Sequence, residues 1–376
     1  MTDDQPLRGV AFRERLVHAV PPFLPHPLLH DRHAMTIAGA KTPRGLADFV
    51  EDAERLWLPV DDATSVLVEA HWQRDPHAPV LVLVHGLSGS SRSPYMLGTA
   101  HKAFRRGFSA LRLNIRNCGG TERQTPTLYN AALTDDLHGL VSWLGRTRPE
   151  SAVCVAGYSL GGALTLHAGA RWGDRPPAHV AGLSTVSAPV DLVDTSRTMH
   201  TGAMNRVYMR LFLDGFVRAM RSKAAAFPEL YPHDAMRGYR DFYEFDSQWT
   251  APSFGYRDAN DYYERTSAMH VVGDVRIPTL MLHSEDDPLV PLRGRGLAAV
   301  QENPHLLLRC VRYGGHNAFL GARPARGAQR VDVDRWWAEN RIVDWAEARV
   351  AAYQMEARSE AGRTIGAFAS RPKASA

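Results

Sequence analysis

Short apolar runs alternate along this chain with longer stretches whose apolar residues recur at helical spacing. The clearest run, Pro79-Val80-Leu81-Val82-Leu83-Val84, has strand length and none of the polar alternation of a half-exposed strand. It predicts a strand covered on both faces. Ser65 to Ala70, Phe108 to Leu113, Val153 to Ala156, Val180 to Val186, Pro278 to His283 and Leu306 to Val311 predict further strands. Between them, Tyr95 to Arg106 predicts a helix ended by Gly107. Asp135 to Leu144 predicts another, with Leu137, Leu140, Val141 and Leu144 on one face. Such alternation predicts an α/β fold, a mostly parallel central sheet flanked by helices. Handed crossovers bring the loops at one sheet edge together, where open α/β sheets place their ligand sites.

The alternation breaks between Asp191 and Val272. This stretch carries Met199, Met204, Met209, Met220 and Met236 among Phe212, Phe216, Phe227, Tyr239, Phe242, Tyr243, Phe245 and Trp249. It predicts a helical insertion with a small core of its own, whose thioethers and aromatics suit the wall of an apolar acyl pocket. The expected organisation is an N-terminal arm packed on the core (1–60), the first part of the core (61–190), a helical cap (191–272), the second part of the core (273–358) and a flexible tail (359–376). Prolines near the start, Pro21, Pro22, Pro25 and Pro27, resist long regular elements there. A terminal helix is expected from Val331 to Gln354.

Composition narrows the class. The chain is 44% hydrophobic and 22% charged, as ordinary soluble proteins are, and no apolar run nears the roughly 20 residues of a membrane span. Arg8, Arg13 and Arg15 are followed by no sustained apolar segment, which argues against a secretory signal, so a cytoplasmic protein is expected. A charge of +4 from 44 basic and 40 acidic residues is no nucleic-acid footprint. The short basic patch Arg221 to Lys223 reads as solvated surface, with transient contact to a membrane or lipid left open. Three cysteines give neither a disulfide framework nor a metal pair; Cys154 and Cys310, in apolar runs, read as small buried residues. His26, His30 and His33 lack cysteine or well-spaced carboxylate partners, so neither metal nor other cofactor is expected.

One chemistry connects the strand exits. Val153 to Ala156 runs directly into Gly157-Tyr158-Ser159-Leu160-Gly161-Gly162 and a helix-like stretch. A strand entering a helix through so tight a turn leaves Ser159 at the apex, with strained backbone angles and small neighbours. Acyl transfer through serine needs a base, a carboxylate to orient it and donors for the negative oxygen of the tetrahedral intermediate. His316, on a glycine-flanked loop, is the expected base and Asp287 the carboxylate. Asp286 competes for the second role or caps the loop, and Glu285 reads as surface. The order Ser159, Asp287, His316 is the one expected of an α/β-hydrolase. The amides of Leu87 and Leu160 are the expected oxyanion donors, and His85 reads as a loop-organising residue rather than a second base.

His85-Gly86-Leu87-Ser88-Gly89-Ser90-Ser91-Arg92-Ser93, Asn114-Ile115-Arg116-Asn117-Cys118-Gly119-Gly120, the Ser159 turn, and Asp261-Tyr262-Tyr263 with Ser267 resemble the YheT-like, or EMB8-like, α/β-hydrolases. These are relatives of mammalian α/β-hydrolase-domain proteins that act on lipid esters. The resemblance covers roughly His26 to Val350, and its first segment is far more specific than the serine pattern. Asn117 stands where the family usually reads glycine. The resemblance implies an α/β-hydrolase fold and a lipase-like carboxylesterase with the triad Ser159, Asp287 and His316. Its substrates would be short- to medium-chain acyl or lipid-like esters, small molecules handled through an acyl-enzyme. Two other readings stay open: an acyltransferase using the same triad, and a non-catalytic protein that uses the insertion as a partner surface. The sequence does not fix the oligomeric state.

Overall fold

The computed structural model describes residues 20–232, 238–323 and 332–369. The first 19 residues of the arm, Met236 of the insertion, Val331 and the last residues of the tail lie outside them. Strands β1 (Glu54–Asp61), β2 (Thr64–His71), β3 (Val80–Val84), β4 (Ser109–Leu113), β5 (Val153–Tyr158), β6 (Val180–Val186), β7 (Thr279–Ser284) and β8 (Leu306–Val311) form one sheet. Their order is β1-β2-β4-β3-β5-β6-β7-β8. The β1–β2 and β2–β4 pairs are antiparallel and all others are parallel. This is the α/β-hydrolase fold, with a mostly parallel sheet and a helical cap.

The unbroken apolar strands are explained by cover on both faces. On one face Val80, Val82, Val84, Val153 and Val155 pack with Leu137, Leu140 and Leu144 of the helix Asp135–Thr147. Alternate residues Leu81, Leu83, Cys154 and Ala156 pack on the other with Met96, Ile342 and Trp345. The period of two that divides them is the strand's own.

The arm holds more structure than its prolines predict. A helix, Arg32–Lys41, is capped by Asp31, whose carboxylate accepts the His33 and Ala34 amides. β1 is a strand of the main sheet, although its sequence shows little pattern. It is an edge strand carrying Pro59, with Trp57 45% exposed, and its register comes from backbone pairing with β2. Two other expectations fail near the edges. Cys310 is exposed on β8, because an edge strand leaves part of its surface uncovered. The last helix runs from Trp337 to Ala369, past Ser359, where a loose tail is expected; its alanine, glutamate and arginine content sustains helix.

The cap leaves after β6 and returns before β7. Its main helices are Leu192–Met199, Ala203–Ala226 and Ala259–Thr266, and Met209, Leu213, Met220, Phe242 and Phe245 form its core. Ser267 ties the two ends together: its hydroxyl accepts from the Leu192 amide (2.9 Å) and donates to the Tyr263 carbonyl (2.7 Å). No described helix is long and apolar enough to cross a membrane.

Candidate active site

β5 ends at Tyr158 and a helix begins at Leu160, so Ser159 alone makes the turn. It does so at φ 52° and ψ −122°, a region costing a non-glycine residue about 1–3 kcal/mol. The surroundings hold it there. The Ser159 amide donates to the Val186 carbonyl (2.8 Å), and its own carbonyl accepts from Gly162 (2.8 Å) and Ala163 (3.2 Å). A Cβ at Gly157 would lie 2.1 Å from the Gly161 oxygen, and one at Gly161 would lie 2.4 Å from the Val84 oxygen. The two glycines therefore permit the close approach of β5, the helix and the β3 exit.

His316 Nε2 lies 3.0 Å from Ser159 Oγ, while its Nδ1 lies 2.9 Å and 3.1 Å from Asp287 Oδ2 and Oδ1. An ionised Asp287 accepts the Nδ1 hydrogen, which leaves Nε2 to accept from the serine hydroxyl. Burial acts to raise the Asp287 carboxyl, but His316, then His283 and the Val290 amide, carry it below the usual carboxylate range. Oδ1 also accepts the Leu289 and Val290 amides at 2.9 Å each. Asp286 faces the other way: its Oδ1 accepts the Gly315 amide (3.0 Å), capping the histidine loop.

His85 is fully buried. Its Nε2 accepts the Ile115 amide (3.1 Å), so Nδ1 carries the hydrogen and donates to the Gly86 carbonyl (2.8 Å). Burial pushes the imidazole down to about 4, leaving it neutral. Gly86 further donates to the Tyr95 hydroxyl (3.0 Å), and its carbonyl also accepts from Gly89 (2.9 Å). The loop that presents Leu87 is thus held by groups on both sides of it.

Three supports escape a reading of the sequence. Thr36, on the helix Arg32–Lys41, accepts the His316 amide through Oγ1 (2.9 Å) and donates to the Arg32 carbonyl (2.7 Å). It lies 280 residues from His316, a separation no local pattern can reveal. Lys223, expected on the solvated surface, is buried. Its ammonium donates to Asn117 Oδ1 (2.6 Å) and the Thr125 carbonyl, and burial, with Arg116 nearby, lowers its pKa to about 7. Asn117 sits at φ 64°, a left-handed conformation that asparagine tolerates better than most residues. Its side chain also donates to the Thr127 carbonyl (2.7 Å).

Ser159 and His316 open on a cavity of about 460 Å³, which Leu87 and Leu160 also border. Its cap side presents Met199, Phe212, Phe216, Met220, Phe242 and Phe245. As the first residue of its helix, Leu160 has an amide with no intrahelical acceptor. Among the described residues no cluster of three or more histidine, cysteine or acidic side chains is arranged to hold a metal ion.

The alpha/beta hydrolase fold family model matches residues 79–322. The chain is 32% identical over 300 residues to the YheT protein of Escherichia coli (strain K12), covering 78% of this chain and 83% of that one. It is 29% identical over 276 residues to the monoacylglycerol lipase of Saccharomyces cerevisiae, covering 70% of this chain and 58% of the lipase. Among solved structures, the 2,6-dihydroxy-pseudo-oxynicotine hydrolase aligns over 78% of this chain and 67% of its own, with a TM-score of 0.50 and 17% identity. That last likeness is one of fold.

Proposed function

We propose that this chain, which belongs to the alpha/beta hydrolase fold family and is related to the YheT-like and EMB8-type proteins, is a serine carboxylic-ester hydrolase. The observation that carries the reading is His316, with Nε2 at 3.0 Å from Ser159 Oγ and Nδ1 at 2.9 Å from Asp287. Ser159 attacks the ester carbonyl as His316 takes its proton, and Asp287 steadies the imidazolium that forms. The amides of Leu87 and Leu160 receive the negative oxygen, each worth about 3 kcal/mol of transition-state stabilisation. His316 returns the proton to the departing alcohol, then activates water against the acyl-enzyme. Short- to medium-chain acyl or lipid-like esters fit the apolar cap wall, and the lipase among the relatives supports that class.

The same reading places a cap (191–272) between the two parts of the core (61–190 and 273–358), with β1 of the expected arm (1–60) joined to the core sheet and the last helix reaching into the expected tail (359–376). A serine-directed fluorophosphonate tests the nucleophile: a single adduct by intact mass, lost in Ser159→Ala, is expected. A wild-type protein that neither labels nor hydrolyses p-nitrophenyl esters would sink the reading. Products formed with added alcohols separate water capture, expected here, from acyl transfer.

A further inference from the structure

The cavity beside Ser159 is not uniformly apolar, and its polar part contains a carboxylate that the triad does not use. Asp246 begins a π-helical turn, Asp246–Thr250, between two short cap helices. Single π turns inside helical segments often occur where a side chain serves a ligand. Its Oδ1 accepts the Thr250 hydroxyl (2.6 Å) and its Oδ2 accepts the Tyr263 hydroxyl (2.6 Å). Asp246, Thr250 and Tyr263 all line the cavity, as does Ser196, which hydrogen-bonds Tyr263. Tyr263 shares a packed cluster with Leu160, the residue after the nucleophile.

Among the described residues no lysine, arginine or histidine pairs with Asp246. Burial pushes its carboxyl up to about 6, yet the residue keeps accessible surface and lines the cavity. A carboxylate enclosed in this way without a cation costs stability unless hydrogen-bond donors meet it. Each of its oxygens accepts about two hydrogen bonds, and one on each is occupied. The remaining capacity is left for a ligand in the cavity, whose cap-side wall is mainly aromatic and thioether, with Thr195, Arg218 and Ser222 also lining it.

We propose that Asp246, held by Thr250 and Tyr263, is a subsite that binds a free hydroxyl on the alcohol portion of the ester substrate. The inference rests on Ser159 acting as an ester nucleophile. The acyl chain lies on the wall of Phe212, Phe216 and Phe242, and the hydroxylated alcohol turns to Asp246, which accepts its hydrogen. Substrates of this class are partial esters of polyols. The subsite sets preference among esters and takes no part in the proton transfers at Ser159.

Ethylene glycol monobutyrate and propyl butyrate test this, because they share an acyl group and differ by a hydroxyl in place of a methyl. Wild-type protein is expected to favour the glycol ester about tenfold or more in kcat/KM, since a site built for a hydroxyl discriminates against its absence. Asp246→Asn is expected to cut that ratio at least about fivefold, and Tyr263→Phe to cut it less, with melting temperatures reporting that each variant is folded. Fluorophosphonate labelling of Ser159 tests the underlying reading separately. In a protein that labels, absence of the wild-type preference overturns the subsite, as does a ratio unchanged in folded Asp246→Asn. Butyrylcholine decides between hydroxyl and cation: turnover above that of the glycol ester, lost in Asp246→Asn, overturns the proposal in favour of a cationic head group.

Discussion

Two loops at the same edge of the sheet each carry a histidine, and the two imidazoles have opposite fates. The loop after β3 buries His85, which spends one ring nitrogen on the Ile115 amide and the other on the Gly86 carbonyl. The loop after β8 holds His316 against a carboxylate on one side and leaves its second nitrogen to a serine hydroxyl. Both follow apolar strands and adjoin glycines, so residue type alone does not separate them. Their partners do. A histidine bonded twice to backbone is part of the scaffold, whereas one bonded to a carboxylate and a hydroxyl is placed to move a proton.

The sharpest way to break this comparison is at the hydroxyl. Ser159→Ala is expected to lower kcat for p-nitrophenyl esters by about 10⁴-fold or more, with circular dichroism and melting temperature unchanged. Next comes the carboxylate. Asp287→Asn, which removes the charge and favours the wrong tautomer of His316, is expected to lower kcat by up to about 10⁴-fold. Asp286→Asn, which touches the Gly315 and Gly314 amides and the Ser284 side chain rather than the imidazole, should cost far less. Equal losses in the two variants would mean that the carboxylates share the role.

At His85 the expected effect is on stability. The folded state keeps His85 neutral down to about pH 4, against an ordinary value of 6.5. Between those values the unfolded chain binds the extra proton, so stability falls as pH falls through this window and is fully present above it. The contribution is about 3 kcal/mol. Urea midpoints measured at pH 7 and pH 5 should therefore drop further in wild type than in His85→Gln. A parallel drop in both would remove His85 from the account.

The smallest expected effect is at Thr36. Thr36→Val leaves the His316 amide without its acceptor, a loss of about 1 kcal/mol. It should appear as a several-fold fall in kcat with KM little changed, restored by Thr36→Ser. A fall in melting temperature alone, with kcat intact, would make Thr36 a packing residue only.

Apolar periodicity already contained the parallel strands, because a strand covered on both faces must be apolar throughout, as Val80 to Val84 are. The Ser159 turn was equally legible, since Gly157 answers a steric demand made by the nearby Gly161 oxygen, although Gly161 itself makes room for distant Val84. Edge strand β1 was not, because backbone pairing leaves little trace in side chains. Lys223 misled for a related reason: its charge matches a solvated surface, and only the docking of the cap against Asn117 and Thr125 buries it.

By itself, then, the sequence determined what local sterics and periodicity dictate: the α/β layers, the tight turn at Ser159, the place of the insertion and the order of Ser159, Asp287 and His316 along the chain. Tertiary structure alone decided what depends on contacts between distant segments. It set Thr36 under His316, buried Lys223 against Asn117, and placed Asp246 in the cavity wall. Contacts between separate elements, such as the Thr36–His316 bond across 280 residues, are selected by packing, and packing leaves no period in the chain to be read beforehand.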